Sequence, residues 1–117
     1  MRMHYIALAL AAFALPAAAD NNVEDTIQVG IGNGSLTVQL GDSNFSLTDQ
    51  FGAANLSTTV QGGNVNVSVT DQDGALHTSD TIQLGIGNVS LTDQDGLNND
   101  SDVTQVGGGN VSVVVQN

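Results

Sequence analysis

From Asn22 onward the chain alternates, position by position, between a polar comb that recurs and residues that vary. Glutamine returns every eleven residues, at Gln28, Gln39, Gln50, Gln61, Gln72, Gln83, Gln94, Gln105 and Gln116, and nowhere else. Glycine stands two residues after each of the first eight. Asparagine stands five after, at Asn33, Asn44, Asn55, Asn66, Asn88, Asn99 and Asn110, with His77 as the one substitute. Serine comes seven after without exception, and threonine nine after in six of the eight units, giving way to Val103 and Val114. The unit Q-x-G-x-x-N-x-S-x-T-x thus runs eight times from Gln28 to Val115. A worn partial unit, residues 20–27, precedes it, with Glu24 in the place of serine.

Within each unit the N-x-S-x-T-x-Q segment alternates with period two, so its marked residues share one face of a strand. The glycine-bearing piece between glutamine and asparagine reads as the turn, where glycine accepts a positive φ at little cost. Strands of about seven residues joined by turns of about four follow. An eleven-residue period also suits a right-handed helical supercoil. A glycine in every unit and the run Val111 to Val115 favour strands instead.

Charge decides which face is inside. The comb positions carry no charged residue in any complete unit, whereas Asp49, Asp71, Asp73, Asp80, Asp93, Asp95, Asp100 and Asp102 fall between them. Burying unpaired carboxylates is prohibitive, while buried amides and hydroxyls need only hydrogen-bond partners. The comb is therefore expected to point inward, with stacking supplying the partners as ladders of identical amides.

A second alternation, of 22 residues, overlies the first. The outward positions are apolar in every other strand: Phe45 and Leu47, Val67 and Val69, Val89 and Leu91, Val111 and Val113. In the strands between they drift polar, from Leu56 and Thr58 through Thr78 and Asp80 to Asp100 and Asp102. Two strands per 22-residue rung, one in each of two facing sheets, explain this. The expected fold is an all-β solenoid, a cross-β stack of about four rungs plus a partial N-terminal strand, about 19 Å tall. The apolar set is a candidate lateral interface. Asp80, Asp100 and Asp102 are candidate gatekeepers, since like charges one rung apart repel by about 1 kcal/mol in water. Such columns would slow assembly at neutral pH.

Composition narrows the function. The 117 residues include no cysteine and twelve acids against one base, Arg2. That leaves no disulfide scaffold or cysteine-ligated zinc, and no means of neutralising nucleic-acid phosphates. Arg2, the apolar run Ile6 to Leu15 and Ala17 to Ala19 have the layout of a secretory signal peptide, residues 1–19. The apolar run is too short to span a bilayer, which takes about 20 residues, so no membrane insertion is expected. Beyond the leader every acid remains and no Lys or Arg.

The strings Gln28-Val29-Gly30-Ile31-Gly32-Asn33, Gln83-Leu84-Gly85-Ile86-Gly87-Asn88 and Gln105-Val106-Gly107-Gly108-Gly109-Asn110 carry a Q-x-G-x-G-N element, each with a glutamine six residues after the asparagine. This resembles the curlin repeat of curli, the extracellular amyloid fibres of bacterial biofilms, over essentially all of residues 20–117. The resemblance implies a solenoid that polymerises end to end for adhesion and matrix cohesion. It implies three partners: other copies of the chain, a nucleator subunit and an outer-membrane secretion pore. It implies a cell-surface location and no cofactor. Nucleators of that family tend to carry basic residues in the last repeat; this chain has none, which favours the major subunit. The chain departs from the family in placing Ser and mostly Thr at two inward positions usually held by Ala, Val, Leu or Ile.

Three rival readings fit the sequence less well. Asp71 to Gly74 and Asp93 to Gly96 resemble fragments of calcium loops but lack the full spacing of such a site. An outward S-x-T array would suit ice or surface binding, but the charge argument turns it inward. Catalysis would fall to His77 with Ser79 and Asp80, and His77 holds a ladder position where its ring can stand in for an amide. No enzyme and no metal site are expected.

Overall fold

A computed structural model of the protein describes residues 13–14 and 21–117. The expected leader lies outside the described residues except for Phe13 and Ala14. Ten strands follow in order: β1 (Phe13–Ala14), β2 (Val23–Ile31), β3 (Gly34–Leu40), β4 (Phe45–Ala53), β5 (Leu56–Asn64), β6 (Val67–Ala75), β7 (Thr78–Ile86), β8 (Val89–Leu97), β9 (Asp100–Gly108) and β10 (Val111–Gln116). Successive strands alternate between two parallel five-stranded sheets, β1-β3-β5-β7-β9 and β2-β4-β6-β8-β10. We call these the odd and even sheets.

Every pairing from β2 onward advances by 22 residues, so like stacks on like: Ser46 pairs with Ser68, Thr48 with Thr70, Gln50 with Gln72. The same holds in the odd sheet, where Ser57 pairs with Ser79 and Gln61 with Gln83. Glu24 sits in register with Ser46, as the worn first unit requires. The architecture is the β-solenoid expected, with two strands per rung and about four turns.

The strands are longer than the alternation suggested. Most run nine residues, with only two between them, so the glycine expected in the turn lies inside the ladder. The reason is the stacking itself. Gly52 pairs in register with Gly74, so the bend is copied from rung to rung and stays hydrogen-bonded. At φ 116° Gly52 turns the chain, and a Cβ there would fall inside the carbonyl of Gly74. Only glycine permits that approach.

The interior is almost wholly polar. The one buried apolar side chain among the described residues is Val103; otherwise His77 and the Asn, Ser, Thr and Gln of the comb fill it. Gln50, Gln61, Gln72, Gln83 and Gln94 are all completely buried. The inward direction of the comb is as charge dictated.

Candidate functional site

The feature the sequence singles out is a repeating interior rather than a pocket, and its parts behave differently. The glutamines form two unbroken columns. In the even sheet, Nε2 of Gln28 donates to Oε1 of Gln50 at 2.7 Å, and Gln50, Gln72 and Gln94 each hand the bond on, ending at Gln116. In the odd sheet the column runs Gln39, Gln61, Gln83, Gln105 at 2.8–2.9 Å. The second hydrogen of the amide crosses to the facing sheet. Gln72 Nε2 donates to the Leu56 carbonyl at 3.1 Å and Gln83 Nε2 to the Val67 carbonyl at 2.9 Å. From Gln39 onward each glutamine thus ties its own sheet along the axis and the two sheets across it.

The asparagines act as brackets at the corners. Asn66 Nδ2 donates to the Gly62 carbonyl of its own bend at 3.1 Å and to the Gly85 carbonyl of the next rung at 3.2 Å. Its Oδ1 accepts the backbone N–H of Asn88 at 3.2 Å. Asn33, Asn44, Asn55 and Asn88 likewise reach the glycine carbonyl of the next rung. Asn99 and Asn110 bond the carbonyl four residues back, Asp95 and Val106. Side-chain to side-chain bonds join only Asn66 to Asn44 and Asn110 to Asn88. The expected amide ladder is therefore, at asparagine, mainly a ladder from side chain to backbone. The main chain bends back here and offers its own N–H.

His77 fills the bracket position well but not fully. The ring is completely buried. Its Nδ1 accepts the N–H of Asn99 at 3.2 Å, and its Nε2 lies 3.2 Å from the Asp73 carbonyl. Accepting at Nδ1 and donating at Nε2 defines the neutral Nε2–H tautomer. The third bracket bond, to the carbonyl of Gly96, has no counterpart. Ser79 is buried while Asp80 is exposed on the other face of β7, so the three residues do not converge.

The hydroxyls overturn one expectation. Stacking does not give them partners. Ser46, Ser68 and Ser90, Thr48, Thr70 and Thr92, and their odd-sheet equivalents Ser57, Ser79, Thr59 and Thr81 are buried without a hydrogen bond. A hydroxyl is one atom, so its copy on the next rung lies a full repeat of about 4.8 Å away, beyond hydrogen-bond reach. Thr26 is an exception, donating to Glu24 at 3.0 Å where the worn unit brings a carboxylate inside.

Outside, register stacks the aspartates as expected. Asp49, Asp71 and Asp93 form one column, Asp73 and Asp95 a second, Asp80 and Asp102 a third. Asp100 pairs with Thr78. The Asp71 carboxyl is held above the ordinary carboxylate range, chiefly because its neighbours strip away water and then by repulsion from Asp93, Asp49 and Asp73. Among the described residues no group of three or more His, Cys, Asp or Glu is arranged to hold a metal ion.

The apolar set sits where it was expected, as two columns on the even sheet: Phe45, Val67, Val89 and Val111, and Leu47, Val69, Leu91 and Val113. The sequence reading missed a matching set on the odd sheet. Val38, Val60 and Ile82 stack in register, and Leu40, Leu84 and Val106 occupy the next column with Gly62. The signal was present but lay nearer the strand ends than the positions compared. Also missed were two strained corners, Val65 at φ 58° and Leu76 at φ 62°, since nothing in a hydrophobic residue announces a left-handed backbone.

Comparison with protein-family models, with curated proteins and with solved structures finds no match to this chain. The functional reading therefore rests on the arrangement of its own residues.

Proposed function

We propose that the protein is the structural subunit of an extracellular functional amyloid, a curli-like fibre in which copies add end to end to serve adhesion and biofilm matrix. One observation carries the reading: each rung is an in-register parallel copy of the one before, bonded through the same backbone ladder and the same glutamine columns. A surface that templates its own repeat within a chain is equally a template for another chain, because an open sheet edge offers unpaired N–H and C=O groups. On this reading the product is the fibre itself, without a cofactor, exported by way of the N-terminal leader. A nucleating subunit would offer the first edge, and the aspartate columns would hold spontaneous stacking in check.

The test is to incubate the purified protein lacking residues 1–19 at neutral and acid pH, with thioflavin fluorescence, electron microscopy and fibre diffraction as readouts. Fibres with a meridional reflection near 4.8 Å are expected. A protein that stays soluble and monomeric at both pH values, even when seeded, overturns the proposal.

A further inference from the structure

The two faces of the solenoid are patterned in opposite directions along the chain, with a consequence for the whole particle. On the even sheet the apolar columns sit near the starts of the strands, at Phe45 and Leu47 in β4, and the acids follow, at Asp71 and Asp73 in β6. On the odd sheet the order is reversed. Asp80 stands near the start of β7, and Ile82 and Leu84 come after it. Strands of the two sheets run in opposite directions, because each is followed by a bend into the other. The bond from Gln83 in β7 to the carbonyl of Val67, the first residue of β6, fixes how they overlap: the late part of an odd strand lies over the early part of an even one.

The two reversals therefore cancel, and the particle is divided lengthwise. One long side is apolar on both sheets, wrapping the row of bends that joins β3 to β4, β5 to β6 and β7 to β8. Val65 and Ile86, both exposed, lie on that row. The other long side holds every carboxylate from Asp49 onward; on the apolar side the only ones are Asp25 and Asp42, in the first rung. Exposure is substantial along the stripe, at 53% for Leu40, 44% for Leu84 and 62% for Val113. A contiguous apolar patch of this kind marks an interface.

We propose that this wrapped edge is a lateral contact between filaments of this same chain, two filaments meeting apolar side to apolar side. The inference rests on the fibre reading above. Charge selects the occupant. With twelve acids and a single base in the sequence, any second copy is strongly anionic. Two such copies can approach closely only where both turn their carboxylates away, and this edge is that place. A cationic partner would be drawn to the opposite side, and a bilayer would find none of the Lys or Arg that anchor proteins to anionic lipid. One copy offers a strip only about 19 Å tall, less than a stable dimer interface requires. Pairing is thus a property of filaments, where the strip is multiplied, and not of single subunits.

The experiment compares three double variants with the wild type in mature protein: Val60→Glu with Ile82→Glu on the odd sheet, Val69→Glu with Leu91→Glu on the even sheet, and Thr58→Glu with Thr78→Glu on the acidic side of the odd sheet. Thioflavin kinetics report elongation, and electron microscopy with sedimentation reports lateral association. Both apolar-side variants are expected to elongate, more slowly than the wild type because each pair of glutamates adds a short carboxylate column, but to remain single filaments, while the acidic-side control bundles like the wild type. Should either charged apolar-side variant fail to elongate, Val60→Thr with Ile82→Thr or Val69→Thr with Leu91→Thr makes the same comparison without a charge inside the stack. Bundles that persist in the Val60 and Ile82 variants overturn the wrapped edge, as does a control that loosens equally. Wild-type filaments that never associate overturn lateral pairing alone; the absence of filaments altogether overturns the fibre reading beneath it.

Discussion

The amide columns and the hydroxyl columns run side by side through one interior, with the same spacing and the same burial, yet one is fully bonded and the other is bare. Gln72 receives a bond from Gln50 at 2.7 Å, gives one to Gln94 at 2.8 Å and a third to Leu56 at 3.1 Å. Two residues away, Thr70 has none. An amide carries donor and acceptor at opposite ends, so it spans most of a rung and a bond closes what is left. A hydroxyl spans nothing. In an in-register stack, side-chain length therefore decides which polar residues hold the rungs together and which merely fill space. Twelve bare hydroxyls among the described residues would ruin an ordinary core; here the excess falls on the subunit's own stability while the ladders favour stacking.

The sharpest way to break that contrast is to remove one amide from the middle of a column. Gln72→Leu leaves Gln50 without its acceptor in the column, Gln94 without its donor and the Leu56 carbonyl one bond short, all in a site with no solvent. The expected loss is about 3 kcal/mol, from unsatisfied groups costing about 1–3 kcal/mol each. It would be read as a lower denaturant midpoint at unchanged slope. A neutral result would mean the columns are ornamental.

The hydroxyl columns predict the opposite sign. Thr70→Val and Thr92→Val keep the shape and delete a bare hydroxyl, so each is expected to stabilise by about 1 kcal/mol. The fold already contains the test case: Val103 pairs in register with Thr81 and is buried at 5% exposure. If the valines destabilise, the hydroxyls are bonded after all and the contrast disappears.

His77 lies between the two classes, with two bracket bonds where an asparagine makes three. His77→Asn should restore the contact to the Gly96 carbonyl and the continuity of Asn55, residue 77 and Asn99. The expected gain is about 1 kcal/mol, one hydrogen bond, in the same denaturant assay. A loss would show that the larger ring is better packed than the bracket argument allows.

These signs could not all be read from the chain. Rung length, register, two-sheet alternation and the inward comb were legible, because a charge-free column such as Gln28 to Gln116 repeats without exception. Strand length was misjudged at Gly52 and Gly74, since glycine signals a turn locally and only stacking keeps that turn inside a ladder. The hydroxyls were misjudged for a related reason. Composition shows that Thr70 can bond, but only the rung spacing shows that its copy is out of reach. The odd-sheet half of the apolar edge escaped because opposite patterns on opposed strands coincide only after folding.

The smallest effect concerns the outward aspartates, which share the hydroxyls' inability to pass a bond along a column and add repulsion to it. Asp71 stands between Asp49 and Asp93 in register, and its carboxyl is raised above the value of 3.8 it would have unfolded. A raised acid binds its proton more readily when folded, so folding takes up protons and stability falls as pH rises through that window. The penalty is complete above the folded value, shrinks as pH drops, and is gone below about 3.8. Acidification from neutral should therefore strengthen the stack, with no further gain from Asp71 below about 3.8. Asp71→Asn should raise the midpoint at pH 7 and reduce its dependence on pH, while Thr104→Asn, on the other sheet and in register with Ile82 rather than with a carboxylate, should do neither. Solvent and salt screen an exposed group of this kind, so the shift is a fraction of that for Gln72. If the Asp71 variant tracks the wild type across the whole titration, the aspartate columns keep the surface soluble without restraining the stack.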